Sequence, residues 1–145
     1  MKPLAFPNVG TALDHTTRVV KQAYLRTFRD LGVDISTEQW VVLDLLARSG
    51  DYSQAALAEG SYKDAPTVSR IIDKLAKKGW VERKRFPNDR RRHLVALTGA
   101  GAQVHEVLLP AVEQLREQTW AGLEEEDFGR LMELLGRIRE NFGVG

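Results

Sequence analysis

Between Ser53 and Thr98 the chain changes its hydrophobic rhythm twice, and this constrains the fold more than any other feature. Ser53 is placed to cap a short helix, Gln54 to Glu59, which Gly60 and Ser61 interrupt. A longer helical pattern follows from about Asp64 to Lys78. Pro66 falls in its first turn, where a missing N–H costs nothing, and Gly79 is its stop. Trp80 to Phe86 and Arg92 to Thr98 are then rich in β-formers, and Pro87-Asn88-Asp89 between them is turn chemistry. Two helices joined by a tight, glycine-containing turn and followed by a hairpin make a helix-turn-helix with a β wing.

Helices flank this unit on both sides. Val9, Ala12, Leu13, Val19, Val20, Ala23, Phe28 and Leu31 mark one stripe of a long helix that Gly32 stops. Ser36 or Thr37 caps a helix carrying Trp40, Val41, Leu43 and Leu46, ending at Ser49-Gly50. Thr98 caps a helix through about Trp120, which Pro110 is expected to kink. A last helix runs from about Glu125 to Asn141. The fold class expected is mainly α (α+β): a winged helix-turn-helix over 35–98, an N-terminal dimerisation helix over 1–34 and C-terminal dimerisation helices over 99–145. A small wing domain cannot cover the apolar stripes of the first helix and the last two. Intertwining two copies would bury them, so an interlocked homodimer is expected.

Charge is segregated along the chain. Net charge over all 145 residues is +1. Lys63 to His93, however, holds 11 Lys and Arg against 4 Asp and Glu, and the remainder holds 10 against 16. A basic middle between acidic ends suggests one surface kept for a polyanion. Wound at 3.6 residues per turn, the helix from Asp64 to Lys78 gathers Val68, Ile71, Ile72 and Leu75 into one buried stripe. Ser69, Arg70, Asp73, Lys74 and Lys77 lie opposite, with Thr67 at the edge. Such a helix is about 22 Å long and fits the major groove of B-DNA. Small hydroxyls at its start suit base edges, and the Arg and Lys further along suit phosphates. An amphipathic surface helix is the plainer reading. The hairpin argues against it, because Arg83, Lys84, Arg85, Arg90, Arg91 and Arg92 are more cations than sealing a core requires. An arginine at its tip reaches a narrow minor groove, and Asp89 is placed to fix the Arg91 guanidinium for insertion.

Several function classes are disfavoured. Without cysteine there are no disulfides, iron–sulfur clusters or thiolate nucleophiles. Pro3 and Pro7 interrupt any signal-peptide core, and no apolar run approaches the about 18 residues of a membrane span. A cytoplasmic protein with no membrane partner is expected. His15, His93 and His105 lack metal-ligand spacing, so no metal or cofactor is expected. Glu124 to Asp127 reads as acidic first-turn residues facing a helix dipole. No phosphate-binding fingerprint or nucleophile arrangement is present, and no enzyme is expected.

At this level of detail the chain resembles the MarR-type winged-helix transcriptional regulators. The matching residues are Thr37, Gln39-Trp40, Leu43, Ala56-Leu57-Ala58, Thr67-Val68-Ser69-Arg70 and Ile72-Asp73-Lys74-Leu75. They continue through Lys78-Gly79-Trp80-Val81-x-Arg83, Asn88-Asp89-x-Arg91 and Leu97-Thr98-x-x-Gly101. Trp80 departs from the pattern, an aliphatic residue being usual there, and the absence of cysteine excludes the branch that senses peroxide through a thiol. The resemblance implies a homodimer on a pseudo-palindromic operator in double-stranded DNA. It usually implies a repressor released by a small, often phenolic or aromatic, ligand. By position it makes Thr67, Ser69 and Arg70 recognition-helix contacts and Asp89 and Arg91 the wing-tip pair. Together with the charge pattern, the expected DNA-binding set is Thr67, Ser69, Arg70, Lys74, Lys77, Arg85, Asp89, Arg90 and Arg91. His15, Arg18 and Trp40 are placed to line a cleft for an aromatic carboxylate, although a surface His and Arg beside a core Trp reads the same residues more plainly. A winged-helix protein-interaction module and a constitutive regulator without effector remain open alternatives.

Overall fold

Local capping chemistry sets most of the element boundaries. The computed structural model describes residues 8–144, and for Arg90, Arg91 and Arg92 the backbone alone. The Asn8 side chain accepts from the Gly10 N–H and starts α1, Val9–Asp30. Ser36 opens α2, Thr37–Ser49, with a reciprocal capping box: its hydroxyl accepts from the Gln39 N–H at 3.0 Å, and the Gln39 side chain accepts from the Ser36 N–H. Ser53 caps α3, Gln54–Ser61, and Asp64 caps α4, Ala65–Lys77. The strands are β1, Tyr52–Ser53, β2, Val81–Phe86, and β3, Asp89–Leu97. Two helices complete the chain, α5, Gly99–Thr119, and α6, Glu125–Asn141.

The three strands form an antiparallel sheet in the order β1-β3-β2. β1 is absent from the sequence reading because two residues carry no periodicity, and only pairing with Val95 and Leu94 of β3 defines it. β3 begins at Asp89, three residues before the expected start, so the turn is Pro87-Asn88 alone. Regular pairing runs from Val81 opposite Leu97 to Arg85 opposite His93, then jumps to Phe86 opposite Asp89. Arg90, Arg91 and Arg92 occupy that irregularity, a bulge at the wing tip.

Another difference concerns the turn between α3 and α4. Gly60 lies inside α3, and the left-handed residue ending the helix is Tyr62, with φ 58° and ψ 32°. That conformation costs a residue with a Cβ about 1–2 kcal/mol, and glycine is the usual occupant.

Two compact units compose the chain, Met1–Val112 and Glu113–Gly145. In the first, Val68, Ile71, Ile72 and Leu75 of α4 turn inward onto Leu43, Leu46, Leu57, Val81 and Val95. Burying each such side chain is worth about 1.5–3 kcal/mol, which fixes which face of α4 remains outside. Pro110 sits within α5, whose helix continues through it. Thr98 joins wing to helix: its hydroxyl donates to the Gly79 carbonyl and accepts from the Gly101 N–H at 3.1 Å. Val9, Leu13, Val19 and Leu25 along α1, and Leu31 at its C-terminal cap, remain exposed. In the second unit α6 buries none of its residues, and Phe128, Leu131, Met132 and Leu134 are exposed. Trp120 meets Phe128 edge-on at 4.8 Å. The acidic run caps its own helix, the Glu124 N–H donating to the Asp127 carboxylate at 2.8 Å.

Candidate nucleic-acid interface

The outer surface of α4 follows from its cap and its stripe. Asp64 accepts from the Thr67 N–H at 2.8 Å, which fixes the first turn. The Thr67 backbone and hydroxyl bonds hold the Asp64 carboxyl below its ordinary value. Thr67 and Ser69 are half-buried at the edge of the stripe, and Arg70, Asp73, Lys74 and Lys77 are exposed. Arg70 donates to the Thr67 hydroxyl at 3.3 Å, which draws the guanidinium toward the start of the helix. The cations of the helix are outward, as expected, whereas Ser69, expected opposite the stripe, is half-buried like Thr67.

The groove between α4 and the first turn of α2 is basic. One cavity of about 430 Å³ is lined by Asp34, Ser36, Gln39, Lys74, Lys77 and Lys78. A second, about 270 Å³, is lined by Ser36, Glu38, Gln39, Thr67, Arg70, Ile71 and Lys74. Lys78 differs from its neighbours in role. Its ammonium donates to the Asp34 carbonyl and to Gln39 Oε1 and lies 4.8 Å from the Trp80 ring centre, so it ties the end of α4 to the start of α2. At the rim Glu38 is ion-paired with Lys21. Burial alone would raise the Glu38 carboxyl; the hydrogen bond from Lys21 and the charges of Lys21 and Lys63 outweigh it and lower it.

Counting hairpin cations as one DNA-facing set overstates the wing. Arg83, though exposed, is bound within the domain: NH1 meets Asp73 at 2.7 Å, Nε donates to Gln54 Oε1 at 3.0 Å, and NH2 donates to the Ser69 carbonyl at 3.3 Å. One guanidinium therefore joins β2 to α3 and to the middle of α4. Its partner Asp73 sits among the cations of α4 for this reason. Lys84 pairs with Glu82 at 3.5 Å on the exposed wing, and Arg85 is exposed. Asp89 is half-buried at the start of β3. The expected Asp89–Arg91 pairing, and the side chain of Arg90, lie outside the described residues.

The residues expected to line an effector cleft are placed differently from one another. His15 and Arg18 are exposed on α1, where Arg18 pairs with Asp14 at 2.9 Å. Trp40 is a core residue, 3% exposed. Its partner is His105 of α5, stacked at 5.1 Å with 3° between the planes. His105 Nε2 is 2.9 Å from Asp44 Oδ1, and Arg48 reaches the other carboxylate oxygen at 3.1 Å. This buried polar array links α2 to α5 and was missed by sequence reasoning. Its available signal was Asp44 four residues after Trp40, a carboxylate on an apolar stripe.

The chain's likeness to known proteins agrees with this geometry. A model of the MarR family matches residues 35–93. The multiple antibiotic resistance protein MarR of Escherichia coli is 32% identical over 107 residues, 73% of this chain and 74% of its own. A mutant of that protein solved with operator DNA superposes with TM-score 0.77 at 26% identity, covering 90% of this chain and 92% of that one. The transcriptional repressor NicR of Pseudomonas putida is 26% identical over 90% of this chain and 84% of its own. BpsR of Bordetella bronchiseptica, whose DNA binding is regulated by 6-hydroxynicotinic acid, superposes with TM-score 0.80 at 27% identity, covering 94% and 96% of the two chains. An outward basic helix on a helix-turn-helix, a three-stranded wing and these likenesses agree: the chain belongs to the MarR family of winged-helix transcriptional regulators.

Proposed function

We propose that the protein is a homodimeric, sequence-specific repressor that binds a pseudo-palindromic operator in the cytoplasm and is released by a small aromatic ligand. The observation that carries the DNA reading is α4. Its inward stripe is locked in the core, so Thr67, Ser69, Arg70, Lys74 and Lys77 form its free face. In this reading Thr67, Ser69 and Arg70 read base edges, Lys74 and Lys77 hold phosphates, and the wing carries Arg85, Arg90 and Arg91 to the neighbouring minor groove. The domain division into 1–34, 35–98 and 99–145 belongs to the same proposal. Apolar residues exposed along α1 and α6 support a second copy as their cover, and two-fold symmetry would set two α4 helices about one DNA turn apart.

The effector part rests on kinship: the ligand-regulated BpsR is among the similar structures. His15 and Arg18 remain candidates for its polar contacts. Selection of bound duplexes from a randomised pool tests the core of the proposal. An inverted repeat with half-sites about one turn apart is the expected result, with affinity falling steeply with salt. A pool that stays random, with only weak salt-sensitive attachment, refutes it and leaves the protein-interaction module. A panel of aromatic acids, hydroxynicotinic acids included, tests the effector by thermal shift, since a specific ligand raises the melting temperature by mass action.

A further inference from the structure

Tyr62 occupies the turn between α3 and α4 with φ 58°, and among the described residues it is the one residue other than glycine at positive φ. The strain is not offset inside the molecule. Its side chain is 93% exposed and makes no hydrogen bond, ion pair or ring contact with any described residue. The turn itself is closed by backbone alone, the Tyr62 N–H donating to Glu59 and the Lys63 N–H to Ala58. Glycine would close it equally well and with less strain. A strained position holding a large, solvent-facing aromatic side chain points to a contact made outside the chain.

Position selects the partner. Tyr62 stands two residues before Asp64, the cap of α4, at the end of the recognition helix that enters the groove. Lys63 beside it adds a cation at that same end of α4. The turn therefore leads directly into the end of α4 that carries Thr67 and Arg70, where the phosphodiester strand flanking the major groove would run. A phenol suits such a place: the ring packs on a sugar and the hydroxyl donates to a phosphate oxygen.

We infer that Tyr62 clamps the operator backbone at the mouth of the major groove, its hydroxyl donating to one phosphate in each half-site. This rests on the DNA-binding reading above and adds a contact that neither the charge pattern nor the recognition-helix motif contains. Because the side chain is neutral, its contribution is independent of counterion release.

The test uses the full chain and a duplex selected by the wild-type protein. Tyr62→Phe and Tyr62→Gly are titrated on it, and on duplexes each carrying one uncharged methylphosphonate. Tyr62→Phe should bind about 3- to 10-fold more weakly, the worth of one hydrogen bond, with an unchanged salt slope and melting temperature. One methylphosphonate position per half-site should weaken the wild type and leave Tyr62→Phe unaffected. Tyr62→Gly should lose at least as much affinity while melting higher. Equal affinity of wild type and both variants overturns the inference and leaves the DNA reading standing. So does a loss without any methylphosphonate position that couples to the hydroxyl. A wild type that selects no duplex overturns both.

Discussion

Gly101, in the first turn of α5, offers a sharp test of how the wing is joined to that helix. A Cβ added there would fall inside van der Waals contact of the Trp80 carbonyl oxygen, 2.9 Å from its carbon and 3.1 Å from Leu97 Cδ2. The obstacle is backbone and is held from both sides. The Trp80 carbonyl accepts from the Thr98 N–H at 3.1 Å, and the Trp80 N–H donates to Leu75 at 3.0 Å. Neither can retreat without loosening the junction of α4, β3 and α5. Two terms oppose each other in Gly101→Ala. Helix propensity favours alanine by up to about 1 kcal/mol. Forcing an atom into a filled site costs about 1–3 kcal/mol, more when the neighbour is fixed backbone. The second should win, leaving a net loss of about 2 kcal/mol, or a melting temperature lower by roughly 6–10 °C for a chain of this size. Urea unfolding at matched protein concentration should show a lower midpoint with unchanged slope. Gly99→Ala is the control, since nothing lies within 4 Å of its Cβ. A Gly101→Ala protein as stable as Gly99→Ala would refute the close approach and with it this account of the junction.

Four further outcomes follow from the contacts described and from the proposed function. Asp44→Ala removes a 2% exposed carboxylate from His105 and Arg48 and should cost about 3 kcal/mol in urea unfolding. Arg83→Met should lower stability by about 1 kcal/mol and leave the salt slope of DNA binding unchanged, whereas Arg85→Met should reduce that slope by about one. The Asp64 carboxyl is lowered by its bonds to Thr67, so its contribution is complete above the ordinary value of 3.8 and is lost as pH falls through the lowered one. The melting-temperature gap between wild type and Asp64→Ala should accordingly be full at neutral pH and close in acid; a gap independent of pH would contradict this. Arg91→Ala should cost about 1–3 kcal/mol of operator affinity by anisotropy, and unchanged binding would remove the wing tip from the reading.

Most helices were legible because their ends carry strong local chemistry. Ser36, Ser53, Asp64 and Thr98 each act as caps through contacts within three residues. What escaped depends on partners distant in sequence. β1 exists because Tyr52 and Ser53 meet Val95 and Leu94, and no pattern of two residues encodes that. The turn after α3 was assigned to Gly60 by composition, yet Tyr62 takes the left-handed conformation and Gly60 stays helical near Leu45. Glycine marks where such a conformation is cheap, while register decides where it falls.

Charge counting had the same weakness at the interface. The helical pattern did place Arg70, Lys74 and Lys77 on the outward side of α4, because its one apolar stripe is buried. Counting could not sort cations by partner. Arg83 and Lys78 look identical to Arg85 and Lys77 along the chain, but the first pair is bound inward, to Asp73, Gln54 and Ser69 and to Asp34 and Gln39. These two fix how β2 and α2 sit against α4 and so, in the proposed DNA reading, set the spacing at which the outward cations would meet phosphates. On the proposed reading, replacing them would mis-aim the DNA-facing surface, while replacing Arg85 or Lys77 would subtract one contact from it. The distinction is measurable in the salt slope, which counts the phosphates neutralised and is blind to residues that act only through the fold.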